Sequence, residues 1–326
     1  MALCAVAGLA GILAGCATPA TESAALEEHT GPRFGRVSFT QERTTLGETV
    51  RAIGQEVGGG MAVLHGLEET PVGSISVHRN AYDFLVRRIA EETRLTVQET
   101  PHYYFFYRPD YEFIAEMSLE DAIDPALADI TTSASFGSET LLFNVLGVLS
   151  QNLEVTLVAD NVVSETKCGE FFVDRAPLWA ALEALLKSSR VNPDAVVIES
   201  TPDYVFLRSA QNSARGSMLL NEQELSQEDH ALLEKRISAF LPERPANTDQ
   251  AVAFHAAMRV RSTVGPLSEQ IGAPVTADPG LHDLPVNFAV FHDVPVRTLL
   301  DLMVRQWPLA VFGYEVRDGA IHFRRR

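Results

Sequence analysis

Few residues of this 326-residue chain have the types and spacing that catalysis or metal binding requires. The sequence contains no G-x-S-x-G, H-E-x-x-H, phosphate-binding loop or C-x-x-C motif. The nearest approach to a metal site is His282-Asp283 followed by His292-Asp293, and no third ligand stands at a recognisable spacing. Cys168 has no adjacent base that would activate its thiol. We therefore predict no metal, no cofactor and no catalytic residue, and hence no enzyme.

A different chemistry is indicated near the N-terminus. Residues 2–14 form an apolar run of about the length of a signal-peptide core, too short for the ~20 residues that span a bilayer. The stretch Leu13-Ala14-Gly15-Cys16 resembles the lipobox of bacterial lipoproteins. The resemblance implies cleavage between Gly15 and Cys16, acylation of Cys16, and, since Ala17 is not the retention residue Asp, a periplasm-facing place in the outer membrane. The alternative is a buried N-terminal helix with an incidental cysteine.

Composition and charge limit the partners of the chain. It carries 26 Lys and Arg against 43 Asp and Glu, a net charge of −17, to which residues 1–15 contribute nothing. Such an acidic surface argues against nucleic acid and against electrostatic binding to anionic lipid head groups, so only the lipid would hold the membrane. Once residues 1–15 are removed and the Cys16 sulfur is acylated, Cys168 is left alone, so we expect no intramolecular disulfide. Apolar cores must then supply the stability.

A pair of amphipathic helices is predicted three times along the chain. The first helix of each pair repeats apolar residues at i, i+4, i+7 and i+11, starting at Leu46, Leu142 and Val260. The second helix starts 36 residues later in every case, at Tyr82, Leu178 and Val296. Short alternating segments bounded by Gly, Pro or Asp surround these helices and predict strands. The shared spacing predicts an α+β fold of three tandem β-α-β-β-α-β-β units, each a two-layer sandwich with its helices on one face of a small sheet.

This arrangement resembles the short N-terminal domain shared by secretins and TonB-dependent receptors. The third copy carries the resemblance best, in ADPGLHDLPVNFAVFHDVPVRTLLDLMVRQWPLAVFGYEVRDGAIHF. The second copy has the similar VDRAPLWAALEALL, whereas VHRNAYDFLVRRIA in the first lacks the proline. The resemblance implies docking to other periplasmic proteins and carries no catalytic signature. Because no barrel-forming region follows the third copy, we expect the chain not to be a secretin or receptor by itself.

The spacing also predicts the boundaries of the units. The expected divisions are a signal peptide at 1–15, a tether at 16–35, domains at 36–109, 132–209 and 251–326, an exposed linker at 110–131 and a helical linker at 210–250. The first strand of the third domain is expected in AVAFHA, residues 251–256. In the second linker, a capping box at Ser226–Asp229 predicts a helix whose apolar stripe continues through Ile237 and Phe240.

Two groups of side chains are candidate partner contacts. In the aromatic run Tyr103–Tyr107, Tyr103, Phe105 and Tyr107 share one face of a predicted strand, which either packs within the sheet surface or contacts another domain or protein. Arg324, Arg325 and Arg326 end the last strand, which we expect at a sheet edge. There they would either grip an acidic partner or protect the edge from aggregation.

These observations favour a membrane-anchored periplasmic scaffold or accessory of an envelope complex. The expected partners are envelope proteins, with a secretin or TonB-type system among them, and no nucleic acid. The alternative is a lipoprotein that binds a small molecule or glycan in clefts between its domains. An enzyme of a type without recognisable motifs is a third reading.

Overall fold

Helices and strands alternate along the part of the chain that the computed structural model describes, residues 35–241 and 258–326. The predicted α+β class is confirmed. The predicted signal peptide with Gly15 and Cys16, nearly all of the tether, and the strand expected at 251–256 lie outside the described residues. No described helix has the length and apolar character that crossing a bilayer requires.

The six long helices predicted in pairs begin at the residues where their apolar stripes begin. The helices are α1 Leu46–Val57, α2 Tyr82–Thr93, α3 Glu112–Ala115, α4 Pro125–Ala128, α5 Leu142–Leu153, α6 Asn161–Ser164, α7 Leu178–Ser188, α8 Gln227–Glu234, α9 Val260–Ile271 and α10 Val296–Arg305. The first helix of each pair ends on a left-handed residue, namely Gly58, Glu154 and Gly272.

The strands are mostly short. They are β1 Arg36–Gln41, β2 Thr44–Thr45, β3 Met61–Val63, β4 Pro71–Val72, β5 Ile75–Ala81, β6 Thr96–Glu99, β7 Tyr104–Tyr107, β8 Thr131–Phe136, β9 Thr156–Ala159, β10 Phe171–Pro177, β11 Val196–Thr201, β12 Tyr204–Ser209, β13 Arg236–Leu241, β14 Met258–Arg259, β15 Val275–Ala277, β16 Pro285–Val286, β17 Ala289–Pro295, β18 Phe312–Arg317 and β19 Ala320–Arg325. We call residues 36–107, 131–209 and 236–325 the first, second and third segments.

Each segment contains the same three kinds of strand pairing. An antiparallel pair comes first: β1 with β5, β8 with β10, and β13 with β17. A parallel pair joins β3 to β7, β9 to β12, and β15 to β19. A hairpin joins β6 to β7, β11 to β12, and β18 to β19. Each segment therefore has a two-stranded and a three-stranded part, with two long helices against them.

A bulge in each antiparallel pair is supported by a serine. The residues Arg79, Arg175 and Asp293 have φ of 51°, 47° and 44°, which is uncommon for residues other than glycine. Their backbone N–H groups donate to the hydroxyls of Ser38, Ser133 and Ser238 on the partner strand, at 3.1, 3.0 and 3.0 Å. These bonds stabilise the extra residue, and the strand register shifts at each site.

The start of the third segment differs from the prediction. Helix α8 begins with the predicted capping box at Ser226 and Asp229 but ends at Glu234. Residues 236–241 form β13, which pairs with β17, so that Ile237 and Phe240 lie in a strand and the predicted helical stripe is wrong there. The reason is tertiary, because the alternation that buries Ala239 and Leu241 suits a strand beside β17.

The position of the last strand also differs from the prediction. Strand β19 lies between β15 and β18 in a three-stranded sheet, so the expectation that it forms a sheet edge is wrong. The outer side of β18 is covered in turn by residues 218–220, since the Tyr314 N–H donates to the Met218 carbonyl and the Leu220 N–H to the Tyr314 carbonyl. The inner position of β19 comes from its parallel pairing with β15, a contact between distant parts of the chain that local sequence patterns do not record.

The segment between the first two domains is not the exposed linker that was expected. Its apolar side chains Ile114, Leu119, Ile123 and Leu127 are at most 6% exposed. They join one core that runs continuously from Val37 to Leu207 through the first and second segments. These residues therefore belong to the folded body.

We expect residues 110–131 to resist limited proteolysis for as long as helix α7 does, because their backbone is held by buried side chains. Thermolysin digestion with mass spectrometry of the fragments would measure this. Leu119→Ala should cost about 2–3 kcal/mol of local stability and release early cleavage there. Early cuts between 110 and 131 in the wild-type chain would contradict the prediction.

Candidate functional site

The aromatic residues proposed as a partner contact are covered by the same chain. The exposed fractions of Tyr103, Phe105 and Tyr107 are 0%, 0% and 6%. The Tyr103 hydroxyl donates to the Glu183 carboxylate of α7 at 2.6 Å. Their assignment as contacts for another protein is therefore wrong. The face that they form is a contact between segments, and the sequence could not indicate which surface would cover it.

The contact between the first and second segments, the first junction, contains a buried ion pair. Lys187 Nζ lies 2.9 Å from Glu183 Oε1, one helical turn away on α7, and the two side chains are 1% and 5% exposed. Lys187 also donates to Gln98 Oε1 of β6 at 3.1 Å, and the Leu119 N–H donates to Glu183 Oε2 at 3.0 Å. Burial lowers the pKa of Lys187, and the Glu183 charge opposes this shift. The charges are thus tolerated because several partners satisfy them.

The contact between the second and third segments, the second junction, uses the same positions. Arg305 and Asp301 of α10 each follow Lys187 and Glu183 by 118 residues. The Arg305 guanidinium pairs with the Glu199 carboxylate of β11 and lies 4.6 Å from the centroid of the Phe206 ring. In both junctions, therefore, a cation in the last turn of a helix reaches the three-stranded sheet of the preceding segment.

A backbone hydrogen bond also recurs at both junctions. The His65 N–H donates to the Ser188 carbonyl at 2.8 Å in the first, and the Asn161 N–H donates to the Gln306 carbonyl at 2.9 Å in the second. Strand β10 further pairs antiparallel with β3, which joins the first two segments in a five-stranded sheet. At the second junction, the His292 N–H donates to the Thr156 hydroxyl at 3.0 Å, which places β17 beside β9.

One position differs in its contact between the two junctions. The sixth residue of α1 is Arg51, whose Nε and Nη2 donate to the Glu170 carboxylate at 3.0 and 2.7 Å. The sixth residue of α5 is Gly147, where a Cβ atom would lie 2.2 Å from the Phe288 ring. Phe288 follows Glu170 by 118 residues. An ion pair in the first junction thus corresponds to an aromatic ring seated on a glycine in the second.

The faces at the two ends of the array are exposed and more polar. On α2, Phe84 is 52% exposed, whereas Ala180 at the corresponding position of α7 is 0% exposed. On the sheet of the third segment, Arg324 Nη1 lies 2.9 Å from Glu315 Oε1, and His322 Nδ1 lies 2.8 Å from the Thr276 hydroxyl. These end faces remain accessible to other molecules within the described residues.

The three terminal arginines are exposed, as a contact with a partner would require. Arg324 is engaged by Glu315, and the Arg326 N–H donates to the Val311 carbonyl at 2.8 Å. Because β19 is an inner strand, addition of a partner strand to it is excluded along the residues that pair on both sides. A role of Arg324, Arg325 and Arg326 in charge recognition stays a prediction.

The other residues considered for chemistry, Cys168, Asp283 and Asp293, lie in surroundings that suit a structural role. Burial raises the pKa of the Cys168 thiol to about 12, which disfavours the reactive thiolate. The Asp283 carboxylate lies 3.4 Å from Arg261, and Asp293 lies 3.1 Å from Arg236. No group of three or more metal-ligating side chains occurs within residues 35–241 and 258–326.

The cavities at the junctions are small. A cavity of about 180 Å³ at the first junction is lined by Thr45, Gly47, Glu48, Arg51, Glu68, Glu69, Ser138 and Glu170. A cavity of about 100 Å³ at the second is lined by Tyr204, Gly216, Thr298, Asp301, Leu302 and Arg305. Both are smaller than the ~300–1,000 Å³ of common ligand pockets.

Comparison of this chain with known protein families, with curated proteins and with solved structures finds no match. The site must therefore be interpreted from its own geometry. That geometry joins three segments through two related junctions and leaves one face open at each end. Sequence reasoning missed the junction residues, although the shared interval of 118 residues that relates Lys187 to Arg305 was a detectable signal.

Replacing the Arg51–Glu170 ion pair with a glycine and a phenylalanine, as at Gly147 and Phe288, tests whether the junctions are related. Arg51→Gly and Glu170→Phe should each destabilise the chain by roughly 1–3 kcal/mol, because the first leaves the buried Glu170 carboxylate without its cation and the second sets a phenylalanine ring against the half-exposed Arg51 side chain. The double variant recreates the pair of the second junction and should recover at least about 1 kcal/mol relative to additivity. Urea denaturation measures all four chains. Additive effects within about 0.5 kcal/mol would refute the correspondence.

The second junction should also confer a pH dependence. Burial raises the pKa of Asp301 from 3.8 to about 6. The folded chain therefore binds the proton more tightly than the unfolded chain, so this group's contribution to stability falls as the pH rises from about 4 to about 6. Asp301→Asn keeps an acceptor for the Met218 N–H and should flatten that decline in melting temperature. The exposed Asp283→Asn is the matched control, and parallel pH profiles for wild type and Asp301→Asn would contradict the prediction.

Proposed function

We propose that this chain is a bacterial lipoprotein, anchored through Cys16 in the outer membrane, that serves as a protein-interaction scaffold or accessory of an envelope complex. The partners fitting this role are envelope proteins, with a secretin-type or TonB-type system as the leading case. The Leu13-Ala14-Gly15-Cys16 sequence supports the anchor. The observation that carries the scaffold role is the recurrence of the same junction, which ties each segment to the next through buried charged side chains and a backbone hydrogen bond.

The proposal includes three copies of one unit that is similar to the short N-terminal domain of secretins and receptors. It is supported by the matching strand pairings and by the serine that supports each bulge. Copies joined in series make contact mainly with their neighbours, as in repeat proteins, and such arrays present extended surfaces suited to binding proteins.

The alternative is binding of a small molecule or glycan between the segments. The junction cavities of about 180 and 100 Å³ are smaller than common ligand pockets, and buried side chains fill the rest of each junction. These dimensions favour the scaffold.

Acylation is the first experimental test. Cells grown with an alkyne fatty acid should label the wild-type chain, and the label should fractionate with the outer membrane, because several acyl chains together anchor a protein firmly. Cys16→Ser should lose at least about nine-tenths of the label and leave the membrane. Cys168→Ser, in which the other mature cysteine is changed, should label like wild type. Equal labelling of Cys16→Ser and wild type would disprove the anchor.

The scaffold role is tested by crosslinking in intact cells. A photo-crosslinking amino acid at position 84 or 322, on the two end faces, should give discrete adducts with envelope proteins. The same amino acid at the exposed position 165, in the middle segment and away from both end faces, reports the background of random encounters. Adducts that are no more frequent at 84 and 322 than in this control would count against the scaffold.

A further inference from the structure

Gly265 occupies an unusual place in the third segment. It is the sixth residue of the twelve-residue helix α9 and is exposed. Its φ is not positive, and among the described residues nothing lies within 4 Å of where its Cβ atom would be. A glycine weakens the interior of a helix relative to alanine. Neither backbone conformation nor packing within the described residues therefore accounts for it.

The corresponding glycine in the second segment has a clear role. Gly147 is the sixth residue of α5, and the Phe288 ring of the third segment rests where its Cβ would be. Phe288 comes directly before β17, which lies beside β9 of the second segment. A glycine at this position thus admits an aromatic ring from the next segment.

The strand next to Gly265 is also open. In the first segment, β3 receives β10 along its outer edge, where the Val63 N–H donates to the Glu170 carbonyl at 2.8 Å. Strand β15 holds the corresponding place in the third segment and pairs with β19 on one side. Within residues 35–241 and 258–326, no strand pairs with its other edge. The glycine is uncovered there, and on the strand edge the Ala277 carbonyl has a contact with His282 Nε2 at 3.2 Å while no strand pairs with it.

We propose that the surface formed by Gly265 and the free edge of β15 docks a strand from another protein, antiparallel to β15, with an aromatic ring seated on Gly265. This inference rests on the proposed scaffold role and names its docking surface. The argument is continuity, because β10 pairs with β3 at the first junction, and at the second β17 lies beside β9 and Phe288 sits on Gly147. The partner strand carries an aromatic residue just before it, as Phe288 precedes β17.

The surroundings make this docking weaker than the internal junctions. Pro279 stands where His65 and Asn161 donate a backbone N–H, and a proline has no such donor. The neighbouring sheet face carries Thr276 and His322 in place of apolar side chains. A partner held here is therefore released and rebound, as suits a scaffold. A second copy of this chain is a poorer fit, because its first segment has Ser74 where the third has Phe288.

A peptide of the chain's own β17 strand is a suitable probe. Fluorescein-labelled Pro285–Pro295, PVNFAVFHDVP, is titrated into the full chain and followed by fluorescence anisotropy. The Gly147 site stays occupied by Phe288 of the same chain, at a far higher effective concentration. We expect saturable binding that weakens at least tenfold with the Phe288→Ala peptide.

Gly265→Ala is the deciding variant. A Cβ atom would collide with the incoming ring, so peptide affinity should fall at least tenfold while the melting temperature stays equal or rises. Gly280→Ala, also exposed and without neighbours within 4 Å, should bind like wild type. Absence of saturable binding, binding unchanged by Gly265→Ala, or a lowered melting temperature of that variant would each overturn the proposal.

Association of the chain with itself is measured in the same preparation by sedimentation at increasing concentration. Dimers or larger species that disappear in Gly265→Ala would assign the surface to a second copy and overturn the separate partner. These outcomes are distinguishable from failure of the scaffold role, because acylation at Cys16 and crosslinking at positions 84 and 322 do not depend on peptide binding.

Discussion

The structure depends on burial of the three-stranded sheets of the first and second segments, each against the second long helix of the segment that follows. A unit of this size buries too little surface by itself for high stability, so a shared interface contributes much of its core. The first and second segments have one continuous apolar core, and Val158 and Phe206 of the second belong to the core of the third. Unfolding of one segment would therefore expose apolar surface on its neighbour. We therefore expect the described segments to unfold together.

Charge gives these interfaces their specificity. Lys187 and Arg305 are almost fully buried, and such charges contribute little net stability after their desolvation. A wrong neighbour would leave them unpaired, at a cost of several kcal/mol. The pairs Arg51 with Glu170 and Gly147 with Phe288 also favour the correct neighbour. If the second and third segments exchanged places, Phe288 would meet Arg51 and Glu170 would find no cation at Gly265, so that order is disfavoured.

The sequence predicts features that depend on local residue patterns, such as the starts of helices. It fails for features that depend on tertiary contacts, such as strand pairing and the surface that covers a sheet. Apolar periodicity located the first residues of the six long helices, such as Leu46 and Val296, because a stripe must face a core wherever that core is. The same reasoning extended a helix across Ile237, where pairing with β17 imposes a strand instead. It also left Tyr103 for a possible partner, because the sequence does not state which surface covers a sheet face. Among the site residues, the interval that relates Lys187 to Arg305 was readable, but the seating of Phe288 on Gly147 required the structure.

The last segment differs from the second in how its sheet charges are satisfied. Glu199 pairs with Arg208 of its own hairpin and with Arg305 of the next segment. Glu315 holds the corresponding place in the third segment and pairs with Arg324 and Arg317, both from its own hairpin. In the second segment the second cation on this glutamate, Arg305, comes from the next segment. In the third segment both cations come from the same hairpin, so the sheet face is compatible with water. Charge pairing therefore adds little for a partner at this end. A partner there must rely on the strand edge of β15 and on contact with Gly265, both of which stay available when the charges are already paired.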